Sequence, residues 1–299
     1  MTAPLMKHIK VPLTIFFLLG LCACGATIGS SPTPGPTISP TVTPTPTATP
    51  IPPAVIVNGE EISQAEFDTE LARYQQSQTG MGNTVSTETA RQTVMKDTVD
   101  TLLLAQGAST YGYTVDDATL QSRIDKLTSQ VGGAGALKAW EAAHSYTDVD
   151  FRSELRRQIA AAWMRNRVTA SVPANADQVH VKQILLYNAN DAQLALGDLQ
   201  TGTIFDDLAS QYDPVTKGDL GWFPRGYLPD PAIETAAFAL QPGQYSAIIQ
   251  DETGYHILYL VERDPARPLS PDALLTLQAS ALQDWLAQRR KESTITYAP

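Results

Sequence analysis

The segment from Gln178 to Arg263 constrains the fold most, because strand spacing, helix spacing and a glycine-bracketed apolar loop all fall within it. Val179, Val181, Gln183 and Leu185 alternate with Gln178, His180 and Lys182. A strand of that period puts Gln183 on the apolar face, where a polar side chain needs a hydrogen-bonding partner. Slipping the strand by one residue to bring His180 inward would flip every other side chain as well. Asp191 to Gln200 and Phe205 to Tyr212 have helical spacing, through Leu194, Leu196 and Leu199 and then Phe205, Leu208 and Ala209, with Thr201-Gly202 between them. In the run Gly218-Asp219-Leu220-Gly221-Trp222-Phe223-Pro224-Arg225-Gly226, three glycines bracket large apolar residues. That predicts a short strand, a tight turn and a loop presenting a hydrophobic surface. Ile233 to Leu240 predicts a helix stopped by Pro242-Gly243, and Tyr245 to Gln250 and Tyr255 to Val261 predict two strands around the turn Asp251-Glu252-Thr253-Gly254.

This order of elements, together with FDDLASQY, GDLGWFPRGYL, IETAAFALQPGQ and GYHI in sequence, resembles a parvulin-type peptidyl-prolyl cis/trans isomerase domain. The resemblance covers about residues 178–263. It implies a small antiparallel sheet wrapped by helices, a prolyl peptide held in a shallow groove, and a reaction with no metal, cofactor or covalent step. Parvulins place two histidines across the groove floor. His256 matches the second of them, and Gln183 stands where the first would be. Gln183 can donate and accept as an imidazole does, although it does not titrate. The resemblance also implies an apolar pocket for the proline ring from Leu220, Phe223, Leu228 and Ile233, while Phe238 reads as core. The loop after Tyr212 is shorter than the family's, and Asp213 is the candidate for the Cys or Asp that faces the substrate carbonyl there. The competing reading of Asp213 is an ordinary turn acid before Pro214. A metal site using His180 and His256 lacks any further ligand spacing.

The rest of the chain places this domain. Lys7 and Lys10 precede the apolar run Leu13 to Leu21, which predicts a secretory signal over residues 1–23 that is short for a membrane span of ~20 apolar residues. Leu21-Cys22-Ala23-Cys24-Gly25 resembles a bacterial lipobox, which implies lipid attachment at Cys24 and anchoring at the extracytoplasmic face of the cell membrane. With Cys22 removed and Cys24 lipidated, no free thiol remains among the sequence's two cysteines. Residues 24–53 are rich in proline and threonine and predict an extended linker, at ~3.1 Å per residue in polyproline II. A net charge of −10 argues against a nucleic-acid partner.

Residues 54–172 predict a strand at Val55, an Asn58-Gly59 turn, a helix from Gln64 capped by Ser63 with Glu66 three residues on, and helices over Glu88 to Thr110, Asp117 to Val131, Gly135 to Ala143 and Val149 to Val168. The last carries Phe151, Leu155, Ile159 and Trp163 as an apolar stripe, with Arg152, Arg156, Arg157 and Arg165 off it as a solvated face. VNGEEISQAEF and YTDVDFRSELRRQI resemble the amino-terminal region of the SurA and PrsA class of exported foldases. Ser270-Pro271-Asp272 opens a final helix running to about Glu292, within residues 270–293, with Leu275, Leu282, Trp285 and Leu286 as its apolar edge. By resemblance this helix packs back on the amino-terminal helices. The fold class expected is therefore α+β, a parvulin-like sheet inserted in a mainly α-helical chaperone domain. Two functions follow from it: an isomerase and foldase for unfolded exported polypeptides containing X-Pro bonds, or a non-catalytic holdase whose parvulin domain is degenerate.

Overall fold

A computed structural model describes residues 52–298. The expected signal over 1–23, Cys24 and all but the last two residues of the linker lie outside them.

The described chain opens with a hairpin, β1 (Val55–Val57) and β2 (Glu60–Ile62), turning on Asn58 and Gly59 at φ of 53° and 88°. Both values are left-handed, which an Asn-Gly pair adopts more readily than other residues. Helix α1 (Gln64–Gly80) follows, and the Ser63 hydroxyl accepts from the Glu66 N–H at 3.1 Å as its capping spacing predicts. The Glu66 carboxylate bonds Arg157. Helices α2 (Thr87–Thr110), α3 (Asp117–Val131), α4 (Ala134–Ala143) and α5 (Asp148–Thr169) agree with the sequence spacing to within a residue at each end.

The second part runs β3 (Asn175–Leu186), α6 (Ala189–Gln200), α7 (Phe205–Tyr212), β4 (Asp219–Pro224), α8 (Pro231–Ala239), β5 (Ile249–Gln250) and β6 (Tyr255–Pro268). The chain then returns through α9 (Pro271–Glu292) and β7 (Ile295–Tyr297). Helix α9 packs on α2 and α5 by Leu282, Trp285 and Leu286, and β7 pairs antiparallel with β1. One hydrophobic core therefore holds both ends of the described chain, and the β3–β6 segment is an insertion between α5 and α9. The fold is α+β, as expected.

Three details depart from the sequence reading. Leu275 is 64 % exposed and lies off the buried edge of α9. Arg157 is largely buried, with Glu60, Glu66 and Glu154 within ion-pair distance, so the α5 arginines are not one solvated face. The expected strand from Tyr245 shrinks to Ile249–Gln250, preceded by an isolated bridge from Tyr245 to Tyr259. Ser246 explains that interruption: its hydroxyl accepts the Leu258 N–H at 2.9 Å, taking a ladder bond that a backbone carbonyl would otherwise fill.

The four-stranded sheet has the order β4-β3-β6-β5 and is antiparallel throughout. Its central strands are covered on both faces. One face packs Val179, Val181, Phe223, Leu258 and Leu260 against Ile233, Ala237 and Phe238 of α8. The other packs Ile184, Leu186 and Ile257 against α6 and α7.

Candidate active site

Strand β3 places Gln183 on the α8-facing side of the sheet, two and four residues beyond Val181 and Val179. The antiparallel register sets Gln183 opposite Leu258 and Leu185 opposite His256. Cross-strand partners share a face, so Gln183 and His256 meet diagonally. The His256 Nδ1 lies 3.1 Å from Gln183 Oε1, and the His256 side chain is only 7 % exposed. The partner that an inward Gln183 requires is therefore His256. His180 points to the opposite face, where its Nε2 is 2.8 Å from Asp219 Oδ1 and its ring stacks on Trp222. The two histidines do not converge.

The other end of the His256 ring is held by Asp251 and Thr253 of the turn between β5 and β6. Nε2 lies 3.0 Å from Asp251 Oδ1 and 3.0 Å from Thr253 Oγ1. The same Asp251 oxygen accepts the N–H groups of Thr253 and Gly254 at 2.7 and 3.0 Å and the Thr253 hydroxyl at 2.7 Å. The Thr253 hydroxyl, then the His256 ring and the two backbone donors, hold the Asp251 carboxyl far below the usual carboxylate range, against a smaller effect of burial in the other direction. The available signal was the position of Asp251 in a tight turn feeding directly into the GYHI strand, so that its side chain folds back onto that strand.

The expected proline-pocket residues all belong to one apolar cluster. Phe223 is fully buried and meets Phe238 edge-on, with ring centroids 6.1 Å apart. Ile233 is buried beside it, while Leu220 and Leu228 are partly exposed at the cluster's margin. Leu220 joins this face because the β3–β4 register shifts between Val181 and Lys182, pairing Gly221 and Asp219 and skipping Leu220. Ile249 packs on the same cluster and pairs directly with His256, so the polar pair and the apolar residues are continuous.

Asp213 caps the end of α7. Its carboxylate accepts the N–H groups of Val215 and Thr216, both at 3.1 Å, the Thr216 hydroxyl, and the Gly218 N–H at 3.4 Å. The Thr216 hydroxyl and these donors keep it ionised below the usual range. It makes no hydrogen bond to Gln183 or His256. What it does is shape the loop whose Gly218 carbonyl accepts the Gln183 N–H at 2.8 Å. Away from this face, an open cleft of about 740 Å³ lies among α2, α5 and α9, lined by Tyr111, Trp163, Met164, Arg167 and Trp285.

A small antiparallel sheet with a histidine-centred polar pair beside an apolar cluster is the arrangement of a parvulin domain. The chain matches the PPIC-type PPIASE domain family over residues 157–274 and the SurA-like N-terminal domain family over residues 51–138, and so carries a parvulin-type domain together with a SurA-like N-terminal domain. It is 28 % identical over 177 residues to Foldase protein PrsA 2 of Bacillus cereus, a match covering 56 % of this chain and 60 % of that one. It is 27 % identical over 256 residues to Foldase protein PrsA of Halalkalibacterium halodurans, covering 78 % and 74 %. A crystal structure of a peptidylprolyl isomerase (PrsA) from Bacillus anthracis aligns at 25 % identity, covering 64 % of this chain and 94 % of that one, with a TM-score of 0.39. The chain thus spans less than two thirds of the length of the Bacillus cereus relative.

Proposed function

We propose that this protein is a peptidyl-prolyl cis/trans isomerase and foldase for exported polypeptides, tethered by lipid at Cys24 to the outer face of the cell membrane. The observation that carries the catalytic part is the continuity of His256 and Gln183 with the cluster of Leu220, Phe223, Leu228 and Ile233 on one sheet face. In this reading Leu220 and Leu228 border the place for the proline ring, with Phe223 and Ile233 as its packed floor. Gln183 and His256 address the amide.

Uncatalysed X-Pro isomerisation crosses a barrier near ~20 kcal/mol because amide resonance is lost in the twisted state. An apolar seat holds the ring while donors favour the twisted geometry over either planar form. No bond to the protein forms. Losing one such donor costs about 1–3 kcal/mol, roughly 5- to 150-fold in rate. A protease-coupled proline-peptide assay on the full chain tests this. The expected result is isomerisation above buffer, reduced roughly 5- to 150-fold in His256→Ala. A rate equal to buffer removes the catalytic reading.

Two observations support a second reading, a non-catalytic holdase. The Asp213 carboxylate is taken up by its own turn, and the helical part carries an aromatic cleft beside Arg167 that suits extended unfolded segments. Protection of an unfolded client from aggregation, with no isomerisation, is its signature.

A further inference from the structure

The His256 ring has an acceptor at each nitrogen, and a neutral imidazole carries only one proton. At Nε2 the matter is settled by geometry. The Thr253 hydroxyl lies 2.7 Å from Asp251 Oδ1, which as an ionised carboxylate can only accept, so the hydroxyl proton goes there. Thr253 Oγ1 therefore turns a lone pair to the ring. Nε2 faces two acceptors, at 3.0 Å each, and must hold the proton. Nδ1 is then free to be either a lone pair or a second N–H, and Gln183 is the group that meets it.

A carboxamide answers both cases by turning over. With a proton on Nδ1 as well, Nδ1–H donates to Gln183 Oε1 across the 3.1 Å between them, and the Gln183 NH₂ is left without a partner among the described residues. With the ring neutral, Gln183 must present its NH₂ to Nδ1, and its carbonyl becomes the free end. The two ends differ in what they offer a substrate amide, one a donor and the other an acceptor.

We propose that Asp251 is a positioning residue of this site: it fixes the proton on His256 Nε2 and so leaves Nδ1 to decide which end of the Gln183 carboxamide faces the peptide. The proposal rests on the isomerase reading for its functional consequence but not for its physical content. Asp251 touches no substrate in this scheme. It acts through the ring and its turn.

The test is long-range ¹H–¹⁵N correlation of the ¹⁵N-histidine-labelled full chain, at a pH where the ring is neutral, with the signal assigned by its loss in His256→Gln. The expected parent spectrum shows the Nε2–H tautomer. Asp251→Ala frees the Thr253 hydroxyl to donate to Nε2, so the ring should move to Nδ1–H. Asp251→Asn, which keeps an acceptor oxygen in place, should restore Nε2–H. A parent ring in the Nδ1–H tautomer overturns the proposal, even if the alanine variant does not fold. So does an alanine variant whose ring signals match the parent's. Where the parent isomerises proline peptides, Asp251→Ala should lower kcat roughly 5- to 150-fold with KM little changed, and Asp251→Asn should recover most of it. Where it does not, the tautomer still decides the proposal, so the two failures are told apart.

Discussion

Replacing Gly218 by alanine tests whether the loop after α7 positions Gln183. Gly218 sits at φ of +70°, left-handed backbone that costs a residue with a Cβ roughly 1–2 kcal/mol. A Cβ there would also lie 1.9 Å from the Gln183 carbonyl oxygen, a backbone atom inside a central strand that cannot swing aside. Something must separate, and the hydrogen bond from the Gln183 N–H to the Gly218 carbonyl at 2.8 Å is the nearest interaction to break, worth about 0.5–1.5 kcal/mol. The variant should therefore lose about 1.5–3.5 kcal/mol, which for a unit of this size lowers Tm by roughly 3–14 °C. Gly221 provides the matched control. Its φ is +72°, and nothing lies within 4 Å of the position a Cβ would take. Gly221→Ala should show the backbone part alone, about 1–2 kcal/mol. Urea denaturation of the parent and both variants gives the two differences. Equal losses at Gly218 and Gly221 would refute the argument, since the close approach to Gln183 would then add nothing.

Three further outcomes follow from the site and its packing. Phe223→Ala removes a fully buried ring in contact with Phe238 and should destabilise the protein by about 3–5 kcal/mol in chemical denaturation; a loss under about 1 kcal/mol would mean the ring is not packed as described. The carboxyls of Asp251, Asp213, Asp177 and Asp219 all lie below their ordinary value of 3.8, so the folded state binds fewer protons than the unfolded one as acid is added. Their stabilisation is complete above that value and is lost as the pH falls below it. Glu154 and Asp97, raised mainly by burial, work in the opposite sense, adding stability that is lost as the pH rises past their ordinary values. The urea midpoint should thus fall steeply below about pH 4, and Asp251→Asn should make that acid limb shallower; an unchanged limb would show that Asp251 does not carry the dependence.

The helices were legible because their signatures are local: Ser63 and Ser270 cap where their spacing says they should, and Leu208 or Leu286 turns inward at helical period. The face of Gln183 was legible for the same reason, since alternation fixes a strand's sides once one side is apolar. What sequence did not show is what depends on a partner strand. The skipped Leu220 is a property of the β3–β4 pairing, and the bonding of Ser246 to Leu258 is a choice between two equally local donors and acceptors. Strand β7 is three residues long, too short for any period, and exists because Thr294 N–H reaches the Asn58 side chain at 2.9 Å and the chain then meets the edge of β1. Asp251 was visible as a turn residue but not as a ring partner, because only the turn's closure brings its carboxylate onto Nε2.

The two longest strands connect the site to the helical body. β3 and β6 remain paired from Leu186 and Tyr255 down to Asn175 and Pro268, where the chain enters from α5 and leaves for α9. Near that lower end Gln178 is buried and its NH₂ donates to the carbonyls of Arg267 and Pro268 at 2.8 and 3.1 Å, while Arg263 grips Asp177 with two bonds. A buried amide with two backbone acceptors resists shear between the strands, because sliding one past the other would leave it unsatisfied. Gln183 and His256 lie on these same two strands. Their 3.1 Å separation is set by the stretch of regular register that runs from the Val181–Leu260 pair to the Leu186–Tyr255 pair, above the register shift between His180 and Val181. The precision of the polar pair comes from strand pairing, and the loops that flank it, at Asp213 and Asp251, orient groups on a frame that the ladder has already fixed.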